Sequence, residues 1–210
     1  MFWMYPIPKY HQVTYASYDA SQASHFCKPG ENWGAFTAQE CDSIIALSKK
    51  FESRRPTVDG KFQPDKRQVT AWKIDYSKEI HWLWERLNNN LNYANSQWWN
   101  FNLYGILESL HLLCYDAGNG DGKYKDGYIK HIDYNQHTHN RKVTFSIQLS
   151  DPKDYEGGHL KLYASKEPES LPMSRGTMIM FPSFILHEVV PIVKGTRWAL
   201  VCWASGPHFR

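Results

Sequence analysis

The sequence predicts a mostly β domain of the α+β class, with N-terminal helices packed on one side of a sheet or barrel. Three observations lead there. Two stretches, opening near Thr37 and Ser77, carry apolar residues at helical spacing. From residue 97 the period changes, and about eight short runs rich in β-branched and aromatic residues alternate with Gly, Asp and Pro turns. At 210 residues, 42% of them hydrophobic, with 9 Trp, 13 Tyr and 10 Phe, the chain has material for one sizeable core.

Residues 1–35 show no sustained period and carry Pro, Gly and Ser, so they are expected as an irregular N-terminal segment packed on a domain spanning 36–210. Thr37 followed by Glu40 is a capping-box pattern, with Phe36 where a hydrophobic staple residue stands. Cys41, Ile44, Ile45 and Ser48 then trace one mostly apolar face. Pro56, Asp59-Gly60 and Pro64 mark a loop or hairpin over 52–67, and Gln68 to Ile74 reads as a strand. In the second helix Ile80, Leu83, Trp84, Leu87 and Leu91 recur at helical spacing, while Asn88-Asn89-Asn90 weakens its end. The strands follow at roughly 98–104, 107–115, 127–133, 142–149, 159–163, 176–181, 186–192 and 196–203. The Asp- and Gly-rich stretch Asp116–Gly127 lacks calcium-loop spacing and reads as turn chemistry.

Composition excludes several function classes. With 24 Lys and Arg against 21 Asp and Glu, and no dense basic stripe, nothing points to nucleic acid. No run of 18 apolar residues exists, and the apolar N-terminus is too short and Pro-rich for a secretory signal, so a soluble, cytoplasmic protein is expected. Cys27, Cys41, Cys114 and Cys202 form no CxxC pair. The last three, in apolar surroundings, read as buried thiols.

The sharpest chemical feature is His131-Ile132-Asp133 at a strand end, with His187 on a later strand. Residues i and i+2 of a strand share a face, so an imidazole and a carboxylate stand side by side. A second imidazole from another strand would complete a facial set of two His and one carboxylate. That set suits ferrous iron with open coordination positions, and zinc is also compatible with it. An HxD alone is weak; His137 and His139, in a polar turn, read as loop residues. Arg197 strengthens the reading, because it opens the apolar run Arg197–Trp203, where a guanidinium needs an anionic partner and no acidic residue is at hand. Fe(II) with Asp133 leaves one net positive charge and Arg197 adds a second, which a dianion would neutralise. The alternative is a surface Arg lying along the strand.

From about Phe36 to Trp203 the chain resembles the Fe(II)/2-oxoglutarate-dependent dioxygenases, in their prolyl-4-hydroxylase-like branch. The resemblance rests on Tyr115-Asp116-Ala117-Gly118, Tyr128–Asp133, Arg141–Leu149, Tyr155–Leu160, Gly176–Phe181 and His187–Arg197, in that order and spacing. It implies a double-stranded β-helix, or jelly roll, with N-terminal helices on the major sheet. It also implies Fe(II) and 2-oxoglutarate as cofactors, with ascorbate as a candidate reductant. The metal ligands and catalytic residues would be His131, Asp133 and His187, and the co-substrate carboxylate would meet Arg197 and Tyr115. Arg141, Trp203 and Tyr128 are candidate substrate-pocket residues. The activity implied is hydroxylation of an unactivated C–H bond, with release of succinate and CO2, on a prolyl or other residue of a peptide or protein. Asp133 favours hydroxylation over halogenation. Rival readings are a hydroxylase of a free amino acid or small metabolite, and a metal-binding jelly-roll module without catalysis. The family places the tyrosine close before the HxD, whereas here Asn119–Asp126 intervenes as an expected lid or substrate-facing loop. The basic residue is Arg rather than Lys, as in bacterial and viral members.

Overall fold

The computed structural model describes residues 16–17, 24–26, 35–58, 60–119, 125–164 and 168–208. In chain order the strands are β1 (Ala16–Ser17), β2 (Ser24–Phe26), β3 (Ser53–Arg54), β4 (Arg67–Gln68), β5 (Thr70–Ile74), β6 (Gly105–Ile106), β7 (Leu110–Asp116) and β8 (Gly127–His131). They continue with β9 (Arg141–Gln148), β10 (Tyr155–Gly157), β11 (Leu160–Leu162), β12 (Glu169–Ser170), β13 (Met178–Pro182), β14 (His187–Val189) and β15 (Ile192–Ser205). Two helices, α1 (Ala38–Ala46) and α2 (His81–Ala94), precede most of them. The strands form two antiparallel sheets. The major sheet runs β1-β2-β13-β9-β15-β7-β5-β3, with β6 and β10 also on β15, and the minor sheet runs β12-β11-β14-β8-β4. This is a double-stranded β-helix with helices against its major sheet.

Each helix starts for a local reason. Thr37 caps α1 by accepting the Glu40 N–H, and the Glu40 carboxylate accepts the Thr37 N–H at 2.7 Å, closing the expected box. Leu83, Trp84, Leu87 and Leu91 bury one face of α2. The asparagines read as weakening the end of this helix are accommodated within it. Asn88 and Asn90 donate their side-chain amides to the carbonyls of Trp84 and Arg86, both at 2.9 Å, and α2 runs on to Ala94. A π-helical turn, Asn95–Trp99, follows and stops at Asn100 with φ 49°. The strand expected over 98–104 is therefore absent. Its aromatic residues pack as a cluster instead, with Trp98 edge-on to Tyr93 and Trp99 stacked on Phe101.

Strand parity divides the major sheet into two working faces. Leu110, Leu112, Phe145, Ile147, Met178, Met180, Leu200 and Cys202 face the helices and make the larger apolar core. Leu113, Tyr115, Ile179 and Phe181 face the minor sheet in a second core. The two last strands read from the sequence are 187–189 and the 14-residue β15, while Tyr155–Gly157, not expected as a strand, pairs with the start of β15. Within the segment read as irregular, Ser24–Phe26 pairs with β13 at the sheet edge, and Ala16–Ser17 pairs with it in turn. The remainder of residues 1–34, including Cys27, lies outside the described residues. Cys41, Cys114 and Cys202 are free and buried as read. No described helix is long and apolar enough to cross a membrane.

Candidate metal centre and anion cavity

His187 and His131 stand directly opposite each other in the β14–β8 ladder. Their ring centroids are 4.1 Å apart. Each Nδ1–H donates to the carbonyl two residues earlier, His131 to Ile129 at 2.8 Å and His187 to Ile185 at 2.9 Å. That leaves both Nε2 lone pairs aimed at Asp133, whose carboxylate oxygens lie 3.8 and 3.4 Å away. Donor atoms of the three residues all fall within 4.8 Å of one another.

Asp133 sits just past the end of β8, and it is the major-sheet side that fixes it. Its N–H donates to the Ser183 carbonyl at 2.9 Å, and its carboxylate accepts from the Thr144 hydroxyl at 2.8 Å. The Thr144 and Ser183 hydroxyls are 3.0 Å apart. Burial opposes ionisation of Asp133, but the facing imidazoles of His187 and His131 outweigh it and hold the carboxyl at about 2. Burial, helped by His187, pushes His131 down to about 3. Near neutral pH the carboxylate is charged and this imidazole neutral, the forms a metal ion requires.

Arg197 is 2% exposed and lies opposite Tyr115 in the β15–β7 ladder. Its Nε and Nη2 both donate to Gln148 Oε1, at 3.1 and 2.8 Å, and its guanidinium carbon is 5.3 Å from the Tyr115 ring centre. Among the described residues, no carboxylate comes within ion-pair distance of it. Gly158 makes room for the stem: at φ +64° a Cβ there would sit 2.9 Å from Arg197 Cδ. Burial raises the pKa of the Tyr115 hydroxyl, so it stays a donor.

A cavity of about 560 Å³ joins these groups, with Leu113, Leu160, Phe181 and Val189 among its apolar walls. The three candidate substrate-pocket residues line it too. Tyr128 stacks on His131 with centroids 3.4 Å apart. Arg141 pairs bidentately with Glu108, at 2.7 and 2.5 Å, and lies 3.6 Å over the Trp203 ring. This ion pair lies on the cavity wall. His137 and His139 stay in their turn, where the His137 N–H donates to Asn135 Oδ1. The Asp116 and Asp126 carboxylates accept backbone N–H groups of Gly118 and Asp116, as turn chemistry requires; residues 120–124 of the expected lid lie outside the described residues.

Sequence reasoning passed over Thr144 and Gln148. The signal was there: Lys142, Thr144, Ser146 and Gln148 alternate with Val143, Phe145, Ile147 and Leu149. A fully buried strand with one polar face marks the lining of a polar cavity.

Comparison with known proteins matches residues 110–205 to the family model of the 2OG-Fe(II) oxygenase superfamily, a segment that contains the triad, Arg197 and Tyr115. Over this segment, a little under half of its length, the chain is similar to the 2OG-Fe(II) oxygenase superfamily. Among curated relatives, a PKHD-type hydroxylase of Synechococcus is 33% identical over 100 residues, covering 48% of this chain and 44% of that protein. One from Paracoccus denitrificans is 31% identical over 91 residues, covering 43% and 40%. The match thus spans less than half the length of these relatives. Among solved structures, a Pseudomonas putida prolyl-4-hydroxylase superposes with a TM-score of 0.67 at 17% identity, covering 89% of this chain and 93% of that one. A Trichoplax adhaerens prolyl hydroxylase, solved with a hypoxia inducible factor peptide fragment, superposes with a TM-score of 0.63 at 20% identity, covering 80% and 76%. The donor set fits Fe(II), and the cavity that holds it offers a buried cation to an anion.

Proposed function

We propose that this chain is an Fe(II)- and 2-oxoglutarate-dependent dioxygenase that hydroxylates a residue, prolyl or other, in a peptide or protein. The observation that carries the reading is Arg197. A guanidinium buried to 2% exposure, hydrogen-bonded to a neutral amide and without a carboxylate partner among the described residues, calls for an anion in the same cavity as the triad. The peptide preference draws on the prolyl-hydroxylase names of the structural neighbours.

Under this reading His131, Asp133 and His187 hold the metal by two Nε2 atoms and a carboxylate. Bound there, ferrous iron with 2-oxoglutarate would activate dioxygen for C–H hydroxylation, one oxygen atom going to the substrate and the other to succinate as CO2 is lost. Arg197 takes the distal carboxylate of the co-substrate, and Gln148 fixes the orientation of its donor edge. The Tyr115 hydroxyl adds a second donor from the neighbouring strand. Leu113, Phe181 and Val189 exclude water, which strengthens each of these contacts. The Thr144 hydroxyl holds Asp133 in place, so that its carboxylate keeps one fixed face toward the metal.

The test is anaerobic addition of Fe(II) and then 2-oxoglutarate, followed, once air is admitted, by succinate release against proline-containing peptides and free amino acids, with and without ascorbate. A visible charge-transfer band and peptide-stimulated turnover are expected. A folded, metal-loaded protein with no band would overturn the reading in favour of a binding module. Stimulation by free amino acids alone would overturn the peptide assignment.

A further inference from the structure

The cavity opening carries charge that neither the metal nor 2-oxoglutarate accounts for. Arg54, Arg55, Arg67 and Lys73 all line it. Among the described residues, none of these four lies within ion-pair distance of a carboxylate. The acidic residue at this rim, Glu108, is already engaged bidentately by Arg141.

Three of the four cations come from strands of both sheets, and Arg55 follows the end of β3. Arg54 on β3 and Lys73 on β5 stand at the far edge of the major sheet, while Arg67 on β4 stands at the edge of the minor sheet. They are close enough to act on one another and on the cavity. The charge of Arg67, together with burial, lowers the pKa of Arg54. His111, opposite Lys73 in the β5–β7 ladder, is pushed down to about 3 by burial and by the charges of Arg67, Arg54, Arg141 and Lys73. Arg67 Nε and His111 Nδ1 are both buried without a hydrogen-bond partner. Mutual repulsion with two unmet polar atoms is an unfavourable arrangement that an incoming anion relieves.

Position narrows the ligand. The Arg67 guanidinium lies 4.7 Å over the Tyr128 ring, and Tyr128 stacks directly on His131. An anion held by Arg67 is therefore one aromatic ring removed from a metal ligand. Carried on three strands of two sheets, the cations can each meet a separate carboxylate of an extended segment, which suits an acidic peptide better than one compact phosphate.

We infer that the substrate is an acidic peptide, with Asp or Glu side chains flanking the oxidised residue and held by Arg54, Arg55, Arg67 and Lys73. This deepens the proposed function and rests on it. The rim cations steer the acidic segment in and fix its register, and the oxidised residue then enters between Tyr128 and Trp203.

The test measures binding rather than turnover. Dansyl-labelled proline-centred peptides with Glu, Gln or Lys flanks are titrated into the full chain loaded with Mn(II) and 2-oxoglutarate. The Glu-flanked peptide should bind about tenfold or more tightly than the Gln-flanked one, with an affinity that falls steeply with salt, and the Lys-flanked peptide should not bind. Arg67→Glu together with Lys73→Glu should reverse that order. The single, solvent-exposed Lys73→Glu, which has little reason to disturb folding, should weaken the Glu-flanked peptide in the same direction. Equal affinity for Glu- and Gln-flanked peptides at low salt would overturn the inference. So would competition by inorganic phosphate or free glutamate as effective as the peptide. Either result, obtained with the 2-oxoglutarate charge-transfer band of the Fe(II)-loaded protein intact, leaves the dioxygenase reading standing; absence of the band removes that reading itself.

Discussion

Thr144 donates its hydroxyl proton to Asp133 across 2.8 Å, from the sheet opposite the one that carries both histidines. The carboxylate is thus aimed by a residue outside the metal set. Thr144→Val keeps the shape and removes the donor. It should weaken Fe(II) or Mn(II) binding by about 10–100-fold while leaving the circular dichroism spectrum unchanged. Metal competition titration checks this, and wild-type affinity in the variant would mean the hydrogen bond does not orient the ligand.

His187→Ala removes one of the paired imidazoles and opens the facial set. Iron retention after desalting and succinate release should both be lost, read by metal analysis and by assay on the same sample. Retained stoichiometric iron would show that His187 is not a ligand.

For Arg197 the expected effect is on the co-substrate. Arg197→Ala should raise the KM for 2-oxoglutarate by about 100-fold, in line with roughly 2–5 kcal/mol for truncating one side of a buried charge pair, with metal affinity held. Gln148→Leu leaves the guanidinium's Nε and Nη2 without their acceptor and should cost about 1–3 kcal/mol of stability in urea unfolding. An unchanged 2-oxoglutarate KM in Arg197→Ala would refute the anion-clamp assignment.

Gly158 offers a separate handle on the same group. A methyl there would meet Arg197 Cδ at 2.9 Å on a backbone already at φ +64°. Gly158→Ala should therefore weaken 2-oxoglutarate without touching metal affinity, and a titration of each ligand separates the two.

Stability should carry a pH signature from the α1 cap. Burial works against the Glu40 charge, yet the Thr37 N–H and the Arg86 guanidinium hold its carboxyl below the ordinary range. A depressed folded pKa means the contribution is present above the unfolded value and disappears as pH falls through the folded one. Urea midpoints of wild type and Glu40→Gln should accordingly differ at neutral pH and converge as the pH falls below the ordinary carboxylate range. Thr37→Ala should cost about 1 kcal/mol.

Much of the fold was legible because local signals agreed with tertiary ones. The Thr37–Glu40 cap and the apolar faces of both helices formed as read, since their buried sides meet the major sheet. The His131-x-Asp133 parity, the later His187 and Arg197 at the head of an apolar strand pointed to one cavity, and the structure brings them together. Failures came where composition imitated a period. The aromatic run 98–104 looked like a strand but packs as a π-helical turn with a ring cluster, and Asn88-Asn89-Asn90 looked like a weak helix end, whereas the amides of Asn88 and Asn90 donate to carbonyls one turn back. The rim cations Arg54, Arg67 and Lys73 were not legible. They are scattered over three short strands, and the sheet pairing that gathers them is not a local property of the chain.

The unbroken strand β15 places the buried cation of the cavity, Arg197, and an aromatic residue of its wall, Trp203, on one rail hydrogen-bonded to β6, β7, β9 and β10. Side chains alternate along it, so inserting or deleting a single residue between these two would turn one of them toward the helices and bring a greasy neighbour into the cavity. Length changes in this strand are therefore a sharper hazard to the protein than most single exchanges, and tolerance of them should be sought in its turns.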